Sequence, residues 1–195
     1  MKKYLILFLF AFLLGGCSQT LPPQNLSWQT HLQKIENLNE WSFSGKIAII
    51  TPQERHSLNI HWQQSYNDFH ITLTTFLGGT IFELKKYQGM TEIIDNEGNH
   101  FYGENTENLV KQLSGFIIPV NALQQWIKGN PSKATYQLNT TNQVANIVGN
   151  DAKNAAWTIT YSDYQYPQGI ALPHKLQLNH EDIRLKFAIS QWNIK

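Results

Sequence analysis

From Trp41 onward, apolar and polar side chains alternate with a period of two along most of the chain, interrupted by turn residues and one helical stretch. That period sends successive side chains to opposite faces of a strand, so each stretch has one face to bury and one to expose. Trp41, Phe43, Ile47 and Ile49 open the pattern with Gly45 in phase, and after Thr51-Pro52-Gln53-Glu54 it resumes in Leu58, Ile60 and Trp62. Phe69, Ile71 and Leu73 mark a third strand, residues 81–87 a fourth and 91–95 a fifth, and Asn96-Glu97-Gly98-Asn99 turns the chain into 100–102. The alternation returns in 135–138, 143–148, 156–161, 175–179 and 182–189. About ten short strands with few helices predict a mainly β (α+β) fold built on one strongly bent antiparallel sheet, because a flat sheet of that size would leave its edges and an apolar face in water. A barrel or partial barrel removes that exposure.

Three segments carry a helical period instead. Trp28, Leu32, Ile35 and Leu38 form a stripe behind Ser27, which stands where an N-cap belongs. Residues 104–113 place Leu109, Val110 and Leu113 on one face and stop at Gly115; residues 120–128 open after Pro119 and close at Gly129-Asn130-Pro131. These helices are natural covers for the open side of a partial barrel, over an interior that is either packed or shaped to hold a ligand.

The chain has 195 residues, 42% of them hydrophobic, enough for one substantial core, and it shows no repeat and no second boundary. Residues 28–195 are therefore read as one domain. A formal net charge of +1 with only two arginines, Arg55 and Arg184, lacks the footprint of a phosphate-backbone binder, so nucleic acid is excluded as a partner. The single cysteine, Cys17, excludes a disulfide framework and a cysteine-based zinc site.

Cys17 has a particular setting. Met1, Lys2 and Lys3 give a basic start, residues 4–14 are almost wholly apolar, and Gly15-Gly16 supplies small residues before the cysteine. The apolar run is shorter than the about 20 residues of a spanning helix. Residues 1–16 read as a secretory signal. Leu14-Gly15-Gly16-Cys17 resembles a bacterial lipobox, and the resemblance implies cleavage before Cys17, lipid on its sulfur and a further acyl chain on the new amino terminus. Ser18 follows where inner-membrane-retained lipoproteins typically carry Asp, so the resemblance implies the outer membrane, facing the periplasm. Residues 17–27, with Pro22-Pro23, form the lipidated tether. With Lys2 and Lys3 removed, the mature chain carries 13 basic and 14 acidic residues.

No catalytic constellation emerges. His56 and His61 are an odd number of residues apart in one strand, so they point to opposite faces and cannot share a metal. The His-Glu-x-x-His, Gly-x-Ser-x-Gly, Gly-x-Gly-x-x-Gly and phosphate-loop patterns are absent. The acidic pairs near 104–107 and 181–182 sit at a helix start and a turn, where the helix dipole and solvation account for them. No catalytic residue, metal site or cofactor is predicted. What stands out is an aromatic excess on strands, including Trp41, Phe43, Trp62, Phe69, Phe82, Trp157, Phe187 and Trp192, with Trp126 on a covering helix. These are core residues or the lining of an apolar cavity. The segment Thr74-Thr75-Phe76-Leu77-Gly78-Gly79-Thr80 places two large apolar side chains in a turn, either folded back onto the core or available to a bilayer.

Several blocks together resemble the LolB family of outer-membrane lipoprotein receptors: the lipobox, Trp41-Ser42-Phe43-Ser44-Gly45-Lys46, Ile60-His61-Trp62-Gln63-Gln64, and Leu77-Gly78-Gly79-Thr80. Gly115-Phe116-Ile117-Ile118-Pro119-Val120, continuing to Leu123-Gln124-Gln125-Trp126-Ile127-Lys128-Gly129-Asn130-Pro131, completes the set. The resemblance implies an unclosed antiparallel half-barrel of ten to eleven strands with a helical lid enclosing an apolar cavity. It implies a monomer that accepts acylated lipoproteins from the periplasmic carrier LolA and places them in the outer-membrane lipid without nucleotide. On that reading Trp62, Trp126, Trp157, Trp192 and Phe82 line the acyl-chain cavity, Phe76 and Leu77 form the membrane-insertion loop, and Cys17 is the lipid attachment point. Trp192 fits only if a bulge near Ser190 reverses its parity, which otherwise matches Arg184 and Lys186. A structural lipoprotein with a packed interior and a general lipid or fatty-acid binder are the alternatives.

Overall fold

The computed structural model describes residues 27–150 and 156–195. The expected signal peptide, Cys17 and the tether up to residue 26 lie outside the described residues. Eleven described strands make one sheet: β1 (Glu40–Ile50), β2 (Arg55–Ser65), β3 (Asp68–Thr74), β4 (Thr80–Tyr87), β5 (Met90–Asp95), β6 (His100–Gly103), β7 (Thr135–Leu138), β8 (Val144–Asn150), β9 (Ala156–Gln165), β10 (Leu172–His180) and β11 (Ile183–Ile194). Three α-helices accompany them, α1 (Trp28–Glu36), α2 (Thr106–Ser114) and α3 (Val120–Trp126).

The strand order β6-β5-β4-β3-β2-β1-β11-β10-β9-β8-β7 is two antiparallel meanders, zipped together where the first strand pairs with the last. The outermost strands, β6 and β7, remain unpaired with each other, so the half-barrel is unclosed. α2 and α3 lie in the chain between those two edges, where they can cover the open side.

The alternation sorts side chains as the period requires. Trp41, Phe43 and Ile47 of β1, Ile60 and Trp62 of β2, Phe69 and Ile71 of β3, Leu84 of β4 and Ile93 of β5 are buried on one face. Leu176 and Leu178 of β10 and Ile159 and Trp157 of β9 continue the same face across the seam. Each such side chain is worth about 1.5–3 kcal/mol when fully removed from water. The opposite face carries exposed Lys46, His61-adjacent polar groups, Lys175 and Lys186.

The β1–β11 seam contains the expected bulge. Ser44 pairs with Gln191 and Gly45 with Ile189, leaving Ser190 as the extra residue. The Ser190 hydroxyl donates to the Ser44 carbonyl at 2.8 Å. Gly45 is required there, since a Cβ would overlap the Ala188 carbonyl oxygen and lie 2.8 Å from Ile189 Cα. The bulge turns Trp192 and Ile194 inward, and β11 runs past residue 189, where the alternation had suggested it ended.

The helices differ from expectation in detail. Ser27 occupies the N-cap of α1 without a side-chain capping bond, and the buried face is Trp28, His31 and Ile35, with Leu32 only partly buried. α2 is capped by Asn105, whose side chain accepts from the Asn108 amide at 2.9 Å, and ends at left-handed Gly115. It buries Leu109 and Val110 but leaves Leu113 exposed, because a helix over a sheet edge has only a narrow covered face. α3 stops at Trp126, and residues 127–129 form a turn instead of a further helical turn.

Candidate functional site

The concave side of the sheet is an aromatic surface with a helical cover. Trp62 and Trp192 belong to one cluster with Trp41 and Phe43: ring centroids lie 5.5 Å apart for Trp41 and Trp62, 5.5 Å for Trp41 and Trp192, and 5.2 Å for Phe43 and Trp192. Phe69 meets the edge of Trp62 at 6.2 Å. The Trp192 indole N–H donates to the Pro173 carbonyl at 3.1 Å, which fixes the ring's orientation.

The other predicted lining residues stand elsewhere. Trp126, at the end of α3, lies on β8, where a Cβ on Gly149 would come within 2.5 Å of its ring; glycine is what lets the indole reach the sheet. The Tyr161 hydroxyl donates to the Trp126 carbonyl at 2.8 Å and ties this end of the cover to β9. Trp157 is fully buried toward the other end of β9 and stacks on His180 with centroids 4.9 Å apart. Phe82 is half-buried on β4, opposite Leu73. The five aromatics thus occupy four places on one apolar face. Among the described residues of that interior, Phe43, Trp62, Ile93, Ile147 and Ile159 are essentially without exposed surface.

Several polar contacts tie the cover to the sheet. The Trp62 indole donates to Gln64 Oε1 at 3.1 Å, and Gln64 Nε2 donates to Gln124 Oε1 of α3 at 3.0 Å. The Thr91 and Thr106 hydroxyls, on β5 and α2, bond at 2.6 Å, and the Trp28 indole of α1 donates to the Tyr136 hydroxyl of β7 at 2.9 Å. Lys128 is 1% exposed, and its ammonium donates to the Leu38 carbonyl at 2.7 Å, joining the end of α3 to the link between α1 and β1. Burial, opposed by the charge of Glu36, lowers its pKa from 10.5 to about 8. His31, 2% exposed, has a buried Nδ1 with no hydrogen-bond partner; burial first, then the charge of Lys34, lowers its pKa from 6.5 to about 4. Sequence reasoning missed both. A polar residue on a predicted cover gives no signal of burial until the cover is docked.

The turn between β3 and β4 presents its apolar residues outward. Phe76 is 86% exposed and Leu77 92%. The turn is closed beneath them by Thr75 N–H to the Gly79 carbonyl at 2.8 Å, Gly78 N–H to the Thr75 carbonyl at 3.0 Å and Gly79 N–H to Thr75 Oγ1 at 3.1 Å. Asn59 of β2 donates its side-chain amide to the Thr75 carbonyl at 3.0 Å. Those bonds hold the backbone so that neither side chain folds back onto the core.

A family model described as outer membrane lipoprotein LolB matches residues 39–192, from the start of β1 to Trp192. The chain belongs to the LolB family. An outer-membrane lipoprotein LolB from Psychromonas ingrahamii is 50% identical over 195 residues, covering 98% of this chain and 96% of that one. Another, from Aeromonas salmonicida, is 39% identical over 197 residues, covering 100% and 99%. Among solved structures, a LolA superfamily protein from Nitrosomonas europaea superposes with a TM-score of 0.53 at 7% identity, covering 88% of this chain and 94% of that one. A DUF1329 family protein from Desulfovibrio piger gives 0.55 at 8% identity, covering 86% and 90%. At such identities the likeness is one of fold. LolB membership places the chain among outer-membrane lipoproteins with a role in lipoprotein localisation, and these relatives are named for that role and not for a catalysed reaction. No helix among the described residues is long and apolar enough to cross a membrane.

Proposed function

We propose that this LolB-family protein accepts acylated lipoproteins from the periplasmic carrier LolA, shelters their acyl chains against the aromatic face beneath the helices, and inserts them into the outer membrane without nucleotide. The observation that carries the reading is the lidded apolar face itself: a broad aromatic surface whose cover packs on it through apolar side chains and polar contacts such as Gln64 to Gln124 and Thr91 to Thr106. Each such bond contributes about 1 kcal/mol net. Acyl chains bring tens of methylenes, each worth about 0.8 kcal/mol when removed from water. Displacing the cover also exposes its own buried side chains, Leu109, Val110, Val120, Leu123 and Trp126, at about 1.5–3 kcal/mol each, and the acyl chains offset that by taking their place against the aromatic face. Transfer then needs only a tighter fit here than on the carrier, with each 1.4 kcal/mol of difference giving about tenfold in the equilibrium. Phe76 and Leu77, held outward by the Thr75 turn, supply the contact with the bilayer during release.

The test mixes the mature chain carrying Cys17→Ala with LolA loaded with a triacylated lipoprotein and asks which protein holds the cargo. Movement to this chain without nucleotide is expected. The burial of Trp62, Trp126, Trp157 and Trp192 is also what a purely structural lipoprotein would show, and cargo that stays on a competent carrier would select that second reading.

A further inference from the structure

The convex face of the sheet, which takes no part in the proposed cargo site, carries a basic groove. Lys46 of β1 pairs in register with Ala188 of β11, and Lys186 of β11 pairs with Ala48 of β1, so the two lysines lie diagonally with only alanine methyls between them. Arg55 and Arg184 flank Ile50 from the two neighbouring strands. Lys46, Arg55, Lys175 and Lys186 line a depression of about 430 Å3 to which no carboxylate contributes. All four are exposed. Lys175 is paired with Asp163 at 3.0 Å, while among the described residues Lys46, Arg55 and Lys186 have no ion-pair partner. Of the carboxylates in the adjoining turns, Glu54 lies 2.9 Å from His56 and Glu181 3.7 Å from His180, while Asp182 is exposed beside Arg184 and does not line the groove.

Register places this groove, the apolar turn and the start of the described chain on one side of the molecule. Lys46 pairs with Asn59, Asn59 pairs with Thr74, and Asn59 also holds the Thr75 carbonyl at the base of the Phe76–Leu77 turn. With neighbouring strands about 4.8 Å apart, the cations begin roughly two strand widths from the turn. At the other edge, Trp28 is bonded to Tyr136, which pairs with Ile147 and, through Ile159, Leu178 and Leu185, lies level with Ile49. The chain therefore leaves the domain at the end of the sheet where β1 turns into β2. Residues 17–26 can span at most about 35 Å from the lipobox cysteine.

We propose that this groove binds the phosphate headgroups of an anionic lipid leaflet and holds the domain against the membrane with its Phe76–Leu77 turn facing the bilayer. An anionic leaflet attracts basic side chains close to its surface, and the attraction fades within a Debye length. The lipid anchor confines the domain to within about 35 Å of the leaflet, so that it repeatedly enters that range, and the groove then gives it an orientation that brings the turn to the acyl region. The proposal rests on the outer-membrane lipoprotein location and not on cargo transfer.

The experiment is co-sedimentation of the full mature chain carrying Cys17→Ala with phosphatidylcholine vesicles, with and without phosphatidylglycerol, at low and high salt and without carrier or cargo. The chain is expected to bind the anionic vesicles in preference and to lose that preference at high salt. Lys46→Gln and Lys186→Gln should each weaken anionic-vesicle binding about fivefold, the factor contributed by one basic side chain at such a surface, with an unchanged thermal midpoint. Equal binding to both vesicle types, or undiminished binding by the double variant, would overturn the proposal. So would failure to bind either vesicle type, and if the double variant then also bound LolA more weakly, the groove would belong to an acidic protein surface.

Discussion

Phe43 and Trp192 stand opposite each other on β1 and β11 with ring centroids 5.2 Å apart, although Trp192 shares its parity in sequence with the outward-facing Arg184 and Lys186. The inserted Ser190 makes the difference, and Gly45 makes room for it. Gly45→Ala is expected to lower stability by about 1–3 kcal/mol, because the atoms a Cβ would meet are backbone and cannot rotate away. Urea unfolding measures the loss. Tryptophan emission should shift to longer wavelength in the folded variant as the Trp192 environment loosens.

Gln64 and Gln124 form the polar latch between β2 and α3. Gln124→Leu removes it while leaving Gln64 Nε2 its bond to the Tyr66 carbonyl. Amide exchange in α3 should speed up about fivefold, corresponding to about 1 kcal/mol, with β1 and β11 unchanged. If the cover must lift to admit acyl chains, the same variant accepts cargo from LolA faster than the parent chain.

His31 makes stability depend on pH in mildly acidic solution. Its folded pKa of about 4 lies below the 6.5 of an unfolded histidine, so between those values the unfolded chain binds the additional proton. Its contribution is complete above pH 6.5, is lost as the pH falls toward 4 and is constant below that, amounting to up to about 3 kcal/mol. His31→Phe should flatten this part of a urea midpoint against pH curve. A curve of unchanged slope would show that other groups produce it.

Leu77 is the most exposed large apolar side chain of the described residues, on a turn closed by backbone bonds. Leu77→Glu should leave the thermal midpoint and acceptance of cargo from LolA unaltered, since the side chain contacts little of the fold. Insertion into vesicles should fall at least tenfold, because a carboxylate is costly to bring into the apolar region. Normal insertion by this variant would remove the turn from the mechanism.

The sequence by itself determined the local elements, because an alternation or a helical stripe is a property of neighbouring residues. β7 occurs at the four residues where the alternation placed it, and the turns at 51–54 and 96–99 separate the strands expected on either side. The family blocks were equally legible: Gly45, in one of them, sits where a Cβ would meet backbone, and Trp126, in another, packs against Gly149, which no block had marked. Tertiary structure alone decided what depends on pairing distant segments. Only the β1–β11 seam extends the last strand through the bulge and turns Trp192 inward. That same seam gathers Lys46, Arg55, Lys175 and Lys186, dispersed along the chain, into one groove. Docking of the cover, not the stripe of α1, buries His31 and Lys128. Period fixes which face a side chain takes within its own strand, whereas register and docking, set by the whole sheet closing on its cover, decide what that face meets.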